Sequence, residues 1–289
     1  MTLPASGPLS LSDIQTEFGG AQPISMSEYY KGGPYVNEYS LAPHVPESGP
    51  IAISDFYGAS HYVPTLQTVT LADGQSFTVP TTIQSTLLIS VIAGAGGVGG
   101  NDVSPGYPGY PGRIVQAYIT FSAGDIILAS VGGAGVGGGS GAGAGTGGTG
   151  GYGGIFGYTG GPGGNAGPQG WSGGGGGGGG ASAVKHNGSI VAVAGGGAGG
   201  GGGGWHSAGR PTQGYSSTGT ITGGPGVSDP SDGGGGGGGG AGQFGGQGGT
   251  LPGGDNGAYS GSTGADLVPA GGSSTISYDS PSITIQGTW

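Results

Sequence analysis

Cysteine is absent from this 289-residue chain, so neither a disulfide framework nor a thiolate metal site can form. Basic residues are scarce too, with 4 Lys and Arg against 14 Asp and Glu. Four cations cannot neutralise a phosphate backbone or bind an anionic lipid surface, so we expect no nucleic-acid partner. No run approaches the roughly 18 apolar residues of a spanning helix, so we also expect no membrane insertion.

Glycine, in contrast, supplies 84 residues, concentrated in tracts at 94–112, 132–180, 195–210 and 223–257. Flexible linkers are one interpretation of such tracts. Two features favour an ordered alternative: the tracts leave apolar strands directly, and parts of them keep a three-residue period, as in Gly106, Gly109 and Gly112. That period belongs to the polyproline II class of helix. We therefore predict packed polyglycine II helices pinned by a β core, with mobile loops as the alternative.

Three short repeats stand near the start of the chain: PLSLSDI at 8–14, PISMSEYY at 23–30 and PIAISDFY at 50–57. Each has an extended lead-in followed by a serine and an acid, a pattern typical of the first turn of a short helix. The predicted N-caps and the acids that follow them are Ser12 and Asp13, Ser27 and Glu28, and Ser54 and Asp55. About sixty residues is little material for a core. We interpret 1–62 as an N-terminal adaptor of short helical turns that folds against something larger; a separate small domain is the alternative.

Residues 63–289 are predicted to form a second, mainly β domain. Asp73-Gly74 lies between two β-branched runs and predicts a hairpin, as does Asn187-Gly188. Further strands are predicted over 85–93, 113–131 and 274–289. Eight or so strands in this order fit a β-sandwich or a flattened barrel, which gives a sandwich-like body with packed polyglycine II helices.

Catalytic and metal-binding motifs are not evident. GAGGVG at 94–99 fits a dinucleotide fingerprint, but the NDVSPGYPGYP that follows cannot form the required helix. The four His are scattered, and the loop acids lack calcium-loop spacing. No paired carboxylates suggest general acid–base chemistry. We therefore predict a non-enzymatic protein with no catalytic residues, metal or cofactor.

Aromatic residues punctuate the glycine tracts. Amphipathic rings on a glycine scaffold suit recognition of sugars or protein surfaces, because they offer contact area at low entropic cost. The alternative is that they cap the bundle and shield its ends. The candidate recognition tips are Tyr107, Tyr110, Trp171, Trp205, His206 and Tyr215.

The order and spacing of SGPLSLSDIQTEFGG, PISMSEYYKGG and SGPIAISDFYGA within 3–59 resemble an N-terminal segment of tailed-bacteriophage virion proteins. The rest, carried by 77–97, 121–135 and 173–204, resembles the glycine-rich domains of phage tail-fibre and adhesin proteins. The last stretch is also similar to the glycine-rich region of anaplastic-lymphoma-kinase-type receptor ectodomains. A long fibre shaft with its own repeats is absent from the sequence.

These resemblances imply a virion protein on the particle surface. The N-terminal segment would dock on other tail, neck or capsid proteins, and the glycine-rich body would project outward. A short tail or neck fibre, or adhesin, that binds a host receptor is the first expectation. A capsid, collar or baseplate decoration is the alternative, and a matrix protein a distant third. We expect a homo-oligomer, with a trimer as the commonest form of such fibres. The candidate docking residues are Ile14, Phe18, Tyr29, Tyr30, Phe56 and Tyr57.

Overall fold

The computed structural model describes residues 2–38, 40–62, 65–80, 86–140, 145–168, 172–213 and 217–288. The chain divides into two compact units, an N-terminal unit of 1–66 with 288–289 and a body of 67–287. Within the described ranges, no helix has the length and apolar character needed to cross a membrane.

Short helices define the N-terminal unit. Helix α1 spans Leu11–Phe18, and two 3₁₀ helices span Met26–Glu28 and Ile53–Phe56. The N-cap of each helix lies two residues before the predicted serine cap, because the acid of each repeat reaches back to the residue three before it. The carboxylates of Asp13, Glu28 and Asp55 accept the backbone N–H groups of Ser10, Ser25 and Ala52 at 2.8, 3.0 and 2.8 Å. The predicted caps were wrong, while the acids do lie in the first turn, as expected.

This N-terminal unit has a hydrophobic core of its own, which corrects the expectation that the segment is too small for one. The rings of Phe18 and Tyr29 meet the ring of Phe56 edge-on, with centroids 5.9 and 6.3 Å apart. The second and third repeats thus contribute one ring each to a shared centre, and the third ring is that of Phe18, four residues after the end of the first repeat. The buried members are Leu3, Ile14, Phe18, Tyr29, Val36, Ala42, Val45, Phe56 and Ala59.

Two antiparallel sheets form the β part of the body. The first has the order β1-β9-β3-β4-β8 and the second the order β2-β5-β6-β7. The strands are β1 Leu66–Leu71, β2 Ser76–Thr78, β3 Thr86–Ile92, β4 Gly112–Thr120, β5 Ile126–Ser130, β6 Ser182–His186, β7 Ser189–Ala194, β8 Ser273–Ser277 and β9 Ser282–Thr288. The mainly β class with a sandwich-like body is confirmed.

Alternation along the central strands supplies the interior of this sandwich. In β3, Leu87, Ile89 and Val91 are buried, and the residues between them are partly or fully exposed. Ile89 lies between Ala117 of β4 and Ile285 of β9 in the first sheet. Strands β3 and β4 contact β6 and β7 of the second sheet, so the inward faces of both sheets share one core.

One of the two predicted hairpins is confirmed. Strands β6 and β7 pair directly and turn at Asn187 and Gly188, both with positive φ, as an Asn-Gly turn requires. The hairpin at Asp73-Gly74 is wrong, because β1 lies in the first sheet and β2 in the second. The Asp73 carboxylate accepts the N–H groups of Val131 and Ile155 at 3.0 and 3.1 Å, which ties this corner to the end of β5.

Extended glycine-rich segments leave the strand ends and run beside one another. We call them the glycine segments: 94–100, 105–111, 132–139, 145–153, 158–167, 172–181, 195–204, 223–228, 234–241, 245–250 and 256–266. Few of their residues belong to a helix or a strand ladder, yet their backbone groups are hydrogen-bonded between segments. This arrangement satisfies main chain that is buried in the interior of the body.

Hydrogen bonds of the 172–181 segment keep a three-residue period. The N–H groups of Gly176, Gly177 and Gly178 donate to three different segments, through the carbonyls of Gly200, Val136 and Gly161, at 2.8–2.9 Å. Three residues before and after, the same three neighbours recur. The carbonyls accept from three further segments, 94–100, 145–153 and 234–241, so six neighbours enclose this one. A period of three is the one expected of polyglycine II helices and supports that prediction.

Segment 234–241 is enclosed in the same way. Its N–H groups donate in rotation to segments 256–266, 172–181 and 223–228, and its carbonyls accept from 158–167, 195–204 and 245–250. Both enclosed segments consist of glycine, apart from Ser172 and Ala181 at the ends of the first and Ala241 at the end of the second. Segment 145–153, at the surface of the bundle, instead carries an exposed side chain at every third position, at Thr146, Thr149 and Tyr152. The composition of each tract therefore follows its depth in the bundle.

Candidate functional site

The strand ends anchor the glycine segments through buried side chains. The Ser182 hydroxyl donates to the carbonyl of Ile92 at 2.7 Å and accepts the N–H of Gly132 at 2.9 Å, which joins the starts of segments 94–100 and 132–139 to the end of segment 172–181. The Ser130 hydroxyl accepts the N–H of Phe156 at 3.2 Å. These hydrogen bonds fix the positions at which the glycine segments meet the strands.

The opposite ends of the segments form one surface, which we call the distal end: the loops 101–104, 205–207, 229–232 and 251–255. Gly173 donates to Gly203 at 2.9 Å, and Gly203 donates to Gly100 at 3.0 Å. Gly234 donates to Asn256 at 3.1 Å, and the Ser172 hydroxyl donates to the carbonyl of Asp232 at 2.8 Å. These bonds hold the last residues of the segments level with one another.

Trp205 and His206 lie on the distal end, as the glycine run before them suggested. The Trp205 side chain is 54% exposed, the largest described aromatic surface there. The His206 N–H donates to the carbonyl of Asp255 at 3.0 Å, and its Nε2 lies 3.7 Å from an oxygen of the Asp255 carboxylate. An exposed indole beside an imidazole and a carboxylate offers apolar area and hydrogen-bonding groups together.

Tyr107 and Tyr110 lie elsewhere, on the flank of the bundle. Their rings are 5.9 Å apart and both are half-buried. The Tyr110 hydroxyl accepts the N–H of Thr212 at 3.3 Å. This pair therefore packs against a neighbouring loop, in keeping with the alternative that some rings shield the bundle. The other two candidate tips, Trp171 and Tyr215, fall outside the described residues.

Acidic residues at the distal end were not included among the predicted tips. Asp102, Asp229, Asp232 and Asp255 come from three separate loops that the segments bring to one end. Asp229 is buried, and its carboxylate accepts the N–H and hydroxyl of Ser231 at 2.6 and 2.7 Å. Among the described residues, no group of three or more His, Asp or Glu side chains is placed to hold a metal ion. Their position at segment ends was visible in the sequence as acids flanking the glycine runs.

Basic side chains of the body are committed to partners. Arg113 pairs with Asp266 at 3.0 Å, the Lys185 ammonium lies 4.2 Å from the centre of the Phe156 ring, and Arg210 lies over the Tyr259 ring at 5.5 Å. The hydrogen bond from Arg210 lowers the pKa of the Tyr259 hydroxyl. The exposed charge of the bundle is consequently acidic in the described ranges.

Backbone N–H groups of GAGGVG are not free to cradle a phosphate. Gly96, Gly97 and Gly99 donate to the carbonyls of Tyr110, Gly177 and Tyr107 at 2.8–2.9 Å. The motif lies inside a glycine segment, and residues 100–111, which follow it, form no helix. Its glycines serve close packing in the bundle.

The predicted docking residues separate into two groups. Ile14, Phe18, Tyr29 and Phe56 are buried in the core of the N-terminal unit, so these four were wrong as surface contacts. In a unit of this size, the apolar positions of the repeats form the hydrophobic core. Tyr30 and Tyr57 remain half-exposed, and their hydroxyls donate to the carbonyls of Gly49 and Gly7. These two rings remain candidates for docking.

The arrangement defines a class of protein: a mainly β body that extends into a hydrogen-bonded glycine bundle, with loops gathered at the far end. No model of a known protein family matches the chain, and no curated protein matches it in sequence.

Proposed function

We propose that this protein is a non-enzymatic structural protein of a bacteriophage virion, a short tail or neck fibre or adhesin that displays a recognition surface. The proposal includes a polyglycine II bundle in the body. The observation that carries it is the three-residue rotation of hydrogen bonds around segments 172–181 and 234–241. Such a bundle holds its loops in place without relying on side-chain packing.

Stiffness of the bundle supports a display role. An ordered backbone residue costs about 1–2 kcal/mol of conformational entropy, which a single net hydrogen bond of about 0.5–1.5 kcal/mol only balances. Ordered glycine thus needs many neighbours bonded at once and fixed ends, and the body supplies both. A chain selected only for spacing would not require six hydrogen-bonded neighbours around one segment.

The N-terminal unit is the proposed attachment module. Its sequence carries the resemblance to virion proteins, and Tyr30 and Tyr57 provide aromatic surface outside its core. Immunogold labelling of particles with antibody against the body tests the virion assignment. A variant without 2–62 is expected to fold as a body and to be absent from particles. Normal incorporation of that variant would refute the attachment role.

Recognition at the distal end is tested with purified protein. We expect it to bind host cells and to block adsorption of the phage, and we expect Trp205→Ala to weaken both at least about tenfold, as loss of a central aromatic anchor does. Tyr118→Ala is the matched control, because that ring is 69% exposed but lies on β4, outside the distal end. Particle labelling without cell binding would favour the decoration role on capsid, collar or baseplate.

A further inference from the structure

A cavity of about 470 Å³ opens in the body on the side of the strands, away from the distal end. Its walls come from four places in the sequence: Arg113 of β4, Ser217, Phe244 with Gly245, and residues 263–266 at the end of the 256–266 segment. The lining residues include Arg113, Ser217, Phe244, Thr263 and Asp266. The volume falls within the range of about 300–1,000 Å³ that ligand sites occupy.

Charge in this cavity is balanced. The Arg113 Nε donates to the Asp266 carboxylate at 3.0 Å, and its Nη2 donates to the Ser274 hydroxyl at 3.0 Å. The Ser274 hydroxyl in turn donates to the same Asp266 oxygen, while the other oxygen accepts the N–H of Gly195 at 2.7 Å. An anionic ligand would face the carboxylate and a cationic one the guanidinium, so the pair disfavours both.

Donors and acceptors nevertheless remain for a neutral ligand. The guanidinium makes no hydrogen bond through Nη1 within the described part of the chain, and Ser217 and Thr263 add hydroxyl groups to the wall. A guanidinium donor beside a carboxylate acceptor matches two adjacent hydroxyl groups, each of which both donates and accepts.

Phe244 supplies the apolar wall. Its ring is 50% exposed, whereas its backbone is held firmly, because its carbonyl accepts the N–H of Ala265 at 2.8 Å. Next to it, the Gly245 N–H donates to the carbonyl of Thr220 at 2.6 Å. A positioned, half-exposed ring in a polar cavity provides a flat surface for the C–H face of a sugar ring.

We propose that this cavity binds a neutral pyranose, either as a free sugar or as the end of a glycan chain. Phe244 stacks on the apolar face of the ring, and Arg113 and Asp266 hydrogen-bond adjacent hydroxyl groups. The site is separate from the distal end, and the proposal does not rest on the virion assignment.

Isothermal titration calorimetry and saturation-transfer NMR test this site on the full chain. The probes are the methyl glycosides of glucose, galactose, mannose and N-acetylglucosamine, their linear oligosaccharides, and glucuronate and glucosamine as charged counterparts. We expect a dissociation constant on the order of 1 mM for at least one neutral methyl glycoside. Tighter binding of the oligosaccharide identifies a glycan end, and equal binding a free sugar; either supports the site.

Phe244→Ala is expected to weaken binding at least about tenfold. Phe244→Leu, which keeps apolar volume but removes the flat ring, should weaken it as well and guards against misfolding of the alanine variant. Tyr118→Ala is the matched control, because that ring is 69% exposed on β4 but does not line the cavity, and this variant should bind like the unmodified chain.

Three results would overturn the proposal: no binding of any neutral probe, unchanged binding by both Phe244 variants, or glucuronate binding at least as tight as that of the neutral sugars. Loss of sugar binding in Trp205→Ala would move the site to the distal end and reject this cavity. Host-cell binding is scored separately, so failure of the virion proposal leaves this result unaffected.

Discussion

The carbonyl oxygen of Gly97 packs against Gly176 so closely that a Cβ atom on Gly176 would lie within 3.0 Å of it. The same holds for Gly236 against the carbonyl of Gly249. These two glycines belong to the enclosed segments, where every side is occupied by another main chain. The absence of a side chain is thus a requirement of the packing at these positions.

Gly176→Ala and Gly236→Ala are therefore expected to destabilise the body by about 1–3 kcal/mol or more, because backbone on the facing segment cannot move aside as a side chain can. Gly133→Ala is the control, since its Cβ would meet Tyr152 at an ordinary 3.4 Å. Thermal and urea unfolding measure the difference. Equal stability of Gly176→Ala and Gly133→Ala would contradict close packing.

Amide exchange should be slow through the enclosed segments and fast in the loop 251–255. The N–H groups of Gly174 to Gly180 and of Gly235 to Gly240 are all donors to neighbouring segments, so exchange requires the bundle to open. Hydrogen–deuterium exchange followed by NMR of ¹⁵N-glycine-labelled protein measures this. Exchange in these runs at the rate of an unstructured peptide would refute the ordered bundle.

Phe56→Ala should destabilise the N-terminal unit by about 3–5 kcal/mol, because it removes the ring that both Phe18 and Tyr29 contact. Ile53→Ala, in the same 3₁₀ helix but 37% exposed, should cost far less. Limited proteolysis followed by mass spectrometry reports on the two units separately. A body that becomes equally susceptible in Phe56→Ala would contradict an independent core.

Asp125 should make the body sensitive to acid. Hydrogen bonds from the Ser122 N–H, Asn187 and His186 lower the pKa of its carboxyl group to about 2. A folded-state pKa below the unfolded value of about 3.9 gives stability that is present above that pH and lost as the pH falls toward 2. Asp125→Asn should be less stable than the unmodified chain at neutral pH but lose less in this window. Parallel losses of melting temperature in both proteins would contradict this role.

Local patterns in the sequence predicted the β class and the Asn187-Gly188 turn, because alternation and turn chemistry act over a few residues. They did not predict that β1 and β2 separate into different sheets. That choice depends on the pairing of β1 with β9 and β2 with β5, and on the Asp73 carboxylate held by Val131 and Ile155. These partners are distant in sequence, so no local signal contains them.

Other features were present in the sequence but were assigned to the wrong role. Ser10 and Asp13 have the spacing of a capping box, which the structure uses instead of the expected Ser12 cap. Ile14, Tyr29 and Phe56 were assigned to docking, whereas their recurrence at the seventh position of the three repeats indicated a core. Enclosed segments have uninterrupted glycine in the sequence, whereas a segment at the surface, such as 145–153, has a larger side chain at every third position. Which segments become neighbours depends on the whole bundle and could not be deduced.

The innermost positions of the bundle accept only glycine. The chain therefore contains two kinds of position, which differ in how well they tolerate substitution. The interior has almost no acceptable substitutions, and its geometry is the same whatever the loops contain. Loops such as 101–104 and 251–255 join segments that are already bonded to their neighbours, so their composition and length can change without altering the interior. Substitutions that change what this molecule contacts are therefore expected at the distal end, while the scaffold stays constant.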